Sequence, residues 1–501
     1  MSIRACLFAL LLPAPVLAQE PLSVIEWLGR HPIHPSGPVL YEPPVSESAL
    51  QPPVEVSRLD TQASPIGLVP ARITGLPASL WAGSATDDLV GLVQNVPVQR
   101  SPAMQTLLYT LLLSETVPPA DDRPDGALLL ARIDRLMELG ATDPALALAE
   151  QVNPSRSAAL FRRWFDASLL TGAEDQGCEL IAQAPHLAPD YATRIFCTAR
   201  LGDWQTAALT LETAHALNLL PPQQMDLLDR FLSPDVFEGA PPLPAPQAPD
   251  PLTFRLFETI GERLPTASLP RAFATADLRD IAGWKAQLMA AERLTRIGAL
   301  APNQLLGLYT ARRPSASGGI WDRVRALQSF DRALQARDSA AVARALPAAW
   351  DSMRQAGLEV AFASLFASDL KRLPLDDPAA GDLAWRILLL SPQYKSAARH
   401  TPRRDPESTF LAALAQGDPG RVPAPNTLAR AIVDGFSSTP DPTPPDPARL
   451  GETILRAMQD FDAGARGNPA ELGRALGTFR AVGLEDTARR AALQLMLLGT
   501  R

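Results

Sequence analysis

The chain has 501 residues, 46% hydrophobic and 20% charged, with 50 prolines, 30 glycines and a formal net charge of −8. That apolar fraction excludes a wholly disordered chain, and its length is ample for more than one hydrophobic core. The acidic balance, with no basic stripe, argues against a general nucleic-acid or anionic-membrane binder.

Residues 1–18 read as a signal peptide: Arg4, an apolar run over 6–12, then small residues Val16 and Ala18 in the positions that precede cleavage. Cleavage after Ala18 removes the Arg4 charge and takes the net charge from −8 to −9. The apolar run is too short to span a bilayer and no later stretch approaches the necessary length, so the mature chain is expected to be periplasmic or secreted, without membrane insertion. Cys178 and Cys197 are then the only cysteines left, and an oxidising compartment makes them a candidate disulfide.

Over 19–75 prolines recur, which forbids helix interior and predicts an extended proline-rich arm. Two more proline-rich stretches, 239–252 and 439–447, read as connectors that divide the rest into helical blocks at 76–238, 253–438 and 448–501. Within the blocks Ala, Leu, Arg and Glu dominate, apolar residues fall three and four apart, and β-branched alternation is almost absent, so the protein is expected to be all-α. Trp164, Trp204, Trp284, Trp321, Trp350 and Trp385 fall in expected helices, where packing is the default, while Trp27 and Trp81 are candidate anchors for the arm.

In the first block Gly140, Gly172 and Gly202 each close one amphipathic helix and open the next, a spacing that signals stacked helical hairpins. The clearest copy is Leu201-Gly202-Asp203-Trp204 followed by Ala207, Leu211 and Ala214. It resembles the second half of a tetratricopeptide repeat, in which a glycine ends helix A and small residues on helix B allow close packing. Gly177 and Ala184 hold the same places in the copy around Gly172; the copy around Gly140 keeps Ala145 and departs at Val152. The resemblance implies helical hairpin repeats in an α-solenoid, with a ligand on the concave side beside helix A residues Arg162, Asp166, Phe196 and Arg200. The helix A stripes Leu129, Ile133, Met137, then Phe161, Phe165, Leu169, then Tyr191, Ile195, Ala199, each lie on one face and are expected to be core. Cys178 falls on helix B of one repeat and Cys197 on helix A of the next, so their bridge would staple neighbouring hairpins.

The heptapeptide RALQSFD at 325–331 returns as RAMQDFD at 456–462. Arg344-Ala345-Leu346 then matches Arg474-Ala475-Leu476, and Gly357-Leu358-Glu359 matches Gly483-Leu484-Glu485, in the same order. The C-terminal block thus resembles part of the second, as a duplicated helical unit would.

Candidate chemistry is sparse. His31 and His34 lie in HPIHP without cysteine or carboxylate nearby, a poor metal site. Ser368 and Lys371 fit the S-x-x-K pattern of penicillin-binding enzymes, but the companion motifs are missing and the stripe of Phe362, Phe366 and Leu370 leaves both on a solvated face. Glu407-Ser408 is similar to the Glu-Ser of lytic transglycosylases, some of which carry a superhelical domain; the glycine-rich stretch those enzymes need is absent, and 405–408 reads as a helix N-terminus. No phosphate loop, nucleophile elbow or paired-cysteine metal motif is present, and no cofactor is expected. The expected function is therefore an exported, non-enzymatic interaction scaffold that binds another envelope protein. Its architecture resembles periplasmic proteins that support flagellar stators, which makes an accessory factor of such a machine the more specific expectation. The alternative is a peptidoglycan-acting enzyme that uses Glu407.

Overall fold

The structure is a computed structural model that describes residues 64–437 and 446–499. The segment read as a signal peptide, the expected arm as far as residue 63 and most of the expected 439–447 connector lie outside the described residues, as do His31, His34 and Trp27. The described residues are all-α, with two isolated bridges and no strand among them.

The described chain enters through α1 (Ala71–Thr74), α2 (Thr86–Asn95) and α3 (Pro102–Leu113). Three hairpins follow: α4 (Ala127–Leu139) with α5 (Thr142–Glu150), α6 (Ala158–Thr171) with α7 (Asp175–Gln183), and α8 (Tyr191–Arg200) with α9 (Trp204–Ala216). The glycines expected to punctuate them stand at the turns with φ of 83°, 82° and 93°, a left-handed backbone in which any Cβ is strained. Three of these helices begin under side-chain caps, since Ser157, Asp190 and Asp203 accept backbone N–H groups at the starts of α6, α8 and α9. Tight turns between short helices leave adjacent helices no choice but to pack antiparallel, and α5 packs on α6, and α7 on α8. Small residues five positions after the glycines permit that approach: Ala145 and Ala207 are fully buried, and a Cβ at Gly177 would press into Phe165 and Trp164.

After α10 (Pro222–Leu232) comes the proline-rich stretch expected as a connector, which has no helix but is tied down. Arg230 donates to the Pro241 carbonyl at 2.8 Å, and the Leu243 N–H donates to Glu262 at 2.8 Å. Beyond it run α11 (Pro251–Thr259), a 3-10 helix over Arg271–Leu278, α12 (Trp284–Arg296) and α13 (Pro302–Thr310). The blocks on either side of the connector are joined by a buried ion pair in which Glu174, fully enclosed, accepts from Arg255 at 2.8 and 3.0 Å.

Two three-helix units follow, separated by α17 (Pro378–Leu389), α18 (Tyr394–Ala397), α19 (Pro406–Gln416) and α20 (Thr427–Ser437). The first is α14 (Ile320–Gln335), α15 (Ser339–Gln355) and α16 (Glu359–Arg372); the second is α21 (Leu450–Ala465), α22 (Pro469–Ala481) and α23 (Glu485–Leu498). The matched heptapeptides lie on α14 and α21, with Phe330 and Phe461 both buried. Asp338 and Asn468 cap α15 and α22, and Gly357 and Gly483 turn the chain into α16 and α23 with φ of 69° and 83°. Sequence similarity and helix register thus coincide through all three helices.

The succession of helices closes on itself. Helix α21 packs on α2, and α23 on α3, so the last described helices meet the first. Gly83 N–H donates to the Ala448 carbonyl at 2.8 Å, Gly451 N–H to the Leu80 carbonyl at 3.0 Å, and Ala103 N–H to Gln494 Oε1 at 2.8 Å. Trp81 is fully buried there, and a Cβ at Gly451 would overlap its ring. One continuous apolar core accordingly runs from Val69 to Leu495, with a second around α14–α16.

Of the expected arm, only residues 64–75 are described. Residues 64–75 lie against the body: Val69 is fully buried, and Gly67 exchanges two 2.8 Å hydrogen bonds with the Gln151 amide. Arg132 explains why this proline-flanked segment stays put. Its enclosed guanidinium donates to the carbonyls of Leu112, Ile66 and Ser114 at 2.8, 3.1 and 2.9 Å, and burial lowers its pKa to about 10.

Candidate interaction surface

Cys178 on α7 and Cys197 on α8 form the expected disulfide, with Cα atoms 4.7 Å apart. It fastens the α8–α9 hairpin to the one before it. Closing a loop of this size removes entropy from the unfolded chain worth about 3 kcal/mol. Reduction is expected to lower the denaturant midpoint by an amount corresponding to roughly that figure, read as unfolding of oxidised against reduced protein; equal midpoints would show that packing alone holds the hairpin.

Helix α9 is where this row of hairpins stops. It packs on α8 and α10 through a narrow stripe of Ala207, Leu211 and Ala214. The rest of its surface faces solvent and is mixed: Trp204 is 48% exposed and Leu209 63%, among exposed Gln205, Thr206, Glu212, Thr213 and His215, and Leu217 just past the helix end is 62% exposed. Leu201 and Leu219, just outside the helix ends, extend the patch. In the helix itself Glu212 is the only carboxylate. Trp204 does not sink into the core because Phe231 of α10 occupies the space beneath it, with ring centroids 5.6 Å apart, while Phe196 packs on the same Phe231 at 5.5 Å. The end repeat of a helical stack ordinarily carries a polar outer face for solubility, and this edge adds five large exposed apolar side chains to its polar ones.

The residues that the sequence nominated for ligand contact differ in their surroundings. Phe196 is fully enclosed in the core beneath α10 and offers no surface. Arg200 is engaged with acids at the start of α7, at 2.7 Å from Asp175 and 3.5 Å from the preceding Glu174. Arg162 is exposed on α6, and Asp166 half-buried one turn further on. Tyr191 of the expected core stripe is instead 45% exposed.

Asp166 has an unusual titration. Burial, opposed by Arg162 and reinforced by the carboxylates of Asp250 and Asp190, pushes its pKa up to about 7. Between the ordinary carboxylate range and about 7 the folded chain keeps a proton that the unfolded chain has lost, so this group's contribution to stability falls as pH rises through that window and is flat above it. Asp166→Asn should remove that decline from the pH profile of urea unfolding; a profile parallel to the wild type would mean that Asp166 titrates normally.

The enzyme candidates sit in structural roles. Asp405 caps α19 by accepting from the Ser408 N–H at 2.9 Å and its hydroxyl at 2.8 Å. Glu407 is ion-paired with Arg386 at 3.0 Å on an exposed helix start. Lys371 donates to Gln393 and Ser396 at 3.2 and 2.9 Å, and Ser368 is exposed. No helix among the described residues is long and apolar enough to cross a membrane, and no group of metal-ligating side chains gathers among them.

In comparisons with known proteins, no family, no curated protein and no solved structure matches this chain.

Proposed function

We infer that this protein is an exported, non-enzymatic interaction scaffold whose α9 edge receives an amphipathic helix of another envelope protein. The observation that carries the reading is the group of large apolar side chains left exposed on α9 and at its ends, Leu201, Trp204, Leu209, Leu217 and Leu219. Inside the row each helix B is covered by the hairpin that follows it, as α5 is by α6 and α7 by α8. What completes a repeat edge is one more helix with apolar residues three and four apart, and small residues such as Ala208 on α9 let its backbone come close. A tetratricopeptide-like reading of 127–216 supports the same occupant, because proteins of that architecture bind through helical surfaces. The disulfide fits an oxidising compartment, in keeping with the N-terminal sequence read as an export signal. An accessory factor of an envelope machine such as the flagellar motor is the more specific form of this proposal.

Cross-linking with mass spectrometry on the protein in its native envelope tests it. Links from 201–219 to one other protein, at a segment whose apolar residues recur with helical spacing, are the expected result. Links from this edge to a second copy of the chain, or links spread evenly over the surface, would overturn it.

A further inference from the structure

The helix succession lines a cavity of about 420 Å³ that opens to solvent on one side, with walls from α1, α3, α12, α13, α16, the α17–α18 turn and α23. That is the size of pocket that encloses a small organic molecule. Its wall is mainly apolar, with Leu107, Leu300, Val360 and Leu484 among the contributors. The charged groups on it are Arg296, Arg490 and Asp486. Asp486 is neutralised within the fold: it accepts from Arg490 and Tyr394 and pairs with Lys395 at 3.0 Å, and despite burial these partners hold its pKa down at about 2. Arg490 is consumed in the same cluster. Arg296 is not consumed. Its Nε donates to the Ala356 carbonyl at 2.7 Å, and among the described residues no carboxylate pairs with it.

Arg296 also belongs to a crowd of like charge. Arg293, a turn earlier on α12, donates to the carbonyls of Thr266 and Leu269, and Arg271 to that of Glu138. Neither is ion-paired among the described residues. Burial and the charges of Arg271 and Arg296 lower the pKa of Arg293. Arg293 and Arg296 line a second, more open cleft of about 960 Å³, whose acids are already engaged, Asp277 with Arg263 and Glu292 with Arg323. Arg296 therefore stands on both an apolar cavity and an electropositive cleft. Thr295 beside it is 7% exposed, and its hydroxyl has no partner among the described residues.

We propose that the cavity binds a small amphipathic anion, with its apolar body inside the ring of helices and its single negative group paired with Arg296. The inference stands on the cavity and its charges and is independent of the α9 edge. Titration calorimetry with dodecanoate as probe tests it, with dodecanol as the uncharged comparison. Thr106 is exposed and lines the cavity, so Thr106→Trp fills the space without disturbing the core. The expected results are one site per chain, loss of binding in Thr106→Trp with its unfolding midpoint unchanged, and at least tenfold weaker dodecanoate binding in Arg296→Met with dodecanol binding unaltered. No saturable binding, binding that survives Thr106→Trp, equal binding of acid and alcohol, or loss of binding in Leu209→Asp would each overturn the proposal.

Discussion

Trp81→Ala is expected to cost about 3–5 kcal/mol of stability, the range for removing a buried tryptophan. The side chain is fully buried between the first described helices and α21, and the chain approaches so closely that only glycine fits at position 451. Alanine would leave a cavity that the surrounding backbone cannot collapse into, since Gly83 and Gly451 are pinned on either side by backbone hydrogen bonds to Ala448 and Leu80. Trp81→Phe should be much milder. The indole N–H finds no acceptor among the described residues, so phenylalanine removes an unsatisfied donor along with part of the volume. Hydrogen exchange sharpens the test, because a closure defect should raise exchange in α2 and α21 together although they are far apart in sequence. Native-like exchange in both helices of Trp81→Ala would refute the closed arrangement.

The second large effect falls on binding. Leu209→Asp is expected to change stability by no more than about 0.5 kcal/mol, because the side chain is 63% exposed. The same change sets a carboxylate in the middle of an apolar contact, and burial of an unpaired charge there should cost at least about 2 kcal/mol of affinity, roughly thirtyfold. Trp204 is the less decisive position despite its size, because it also packs on Phe231 and its loss would loosen α10 as well. Quantitative recovery of the partner with wild-type and variant protein reads the difference. Undiminished recovery by a folded Leu209→Asp protein would remove α9 from the interface.

The parts of this fold that were legible in the sequence are local. Gly140, Gly172 and Gly202 announce helix ends because left-handed backbone favours glycine, and stripes such as Phe161, Phe165 and Leu169 announce a buried face because helical geometry places them together. Cys178 and Cys197 were pairable once the hairpins were stacked. What was not legible depends on residues distant in the chain. Nothing near Trp81 indicates that its partner is Gly451, and Arg132 resembles any surface arginine of a helix until three carbonyls from two distant segments converge on it. Phe196 and Trp204 exchanged their expected places for the same reason: whether a helix face is core or edge is settled by whether α10 covers it. A faint signal did exist for the edge, since α9 carries one carboxylate and a solvated helix ordinarily carries more. The cavity had no signal, because six separate stretches of chain build its wall.

The most direct test of the account is a photo-reactive residue at position 209, activated in living cells, with position 179 on the polar surface of α7 as the control. The account predicts one cross-linked partner from position 209, captured through an amphipathic helical segment, and none from position 179. The same products from both positions, or a product that contains only this chain, would contradict it.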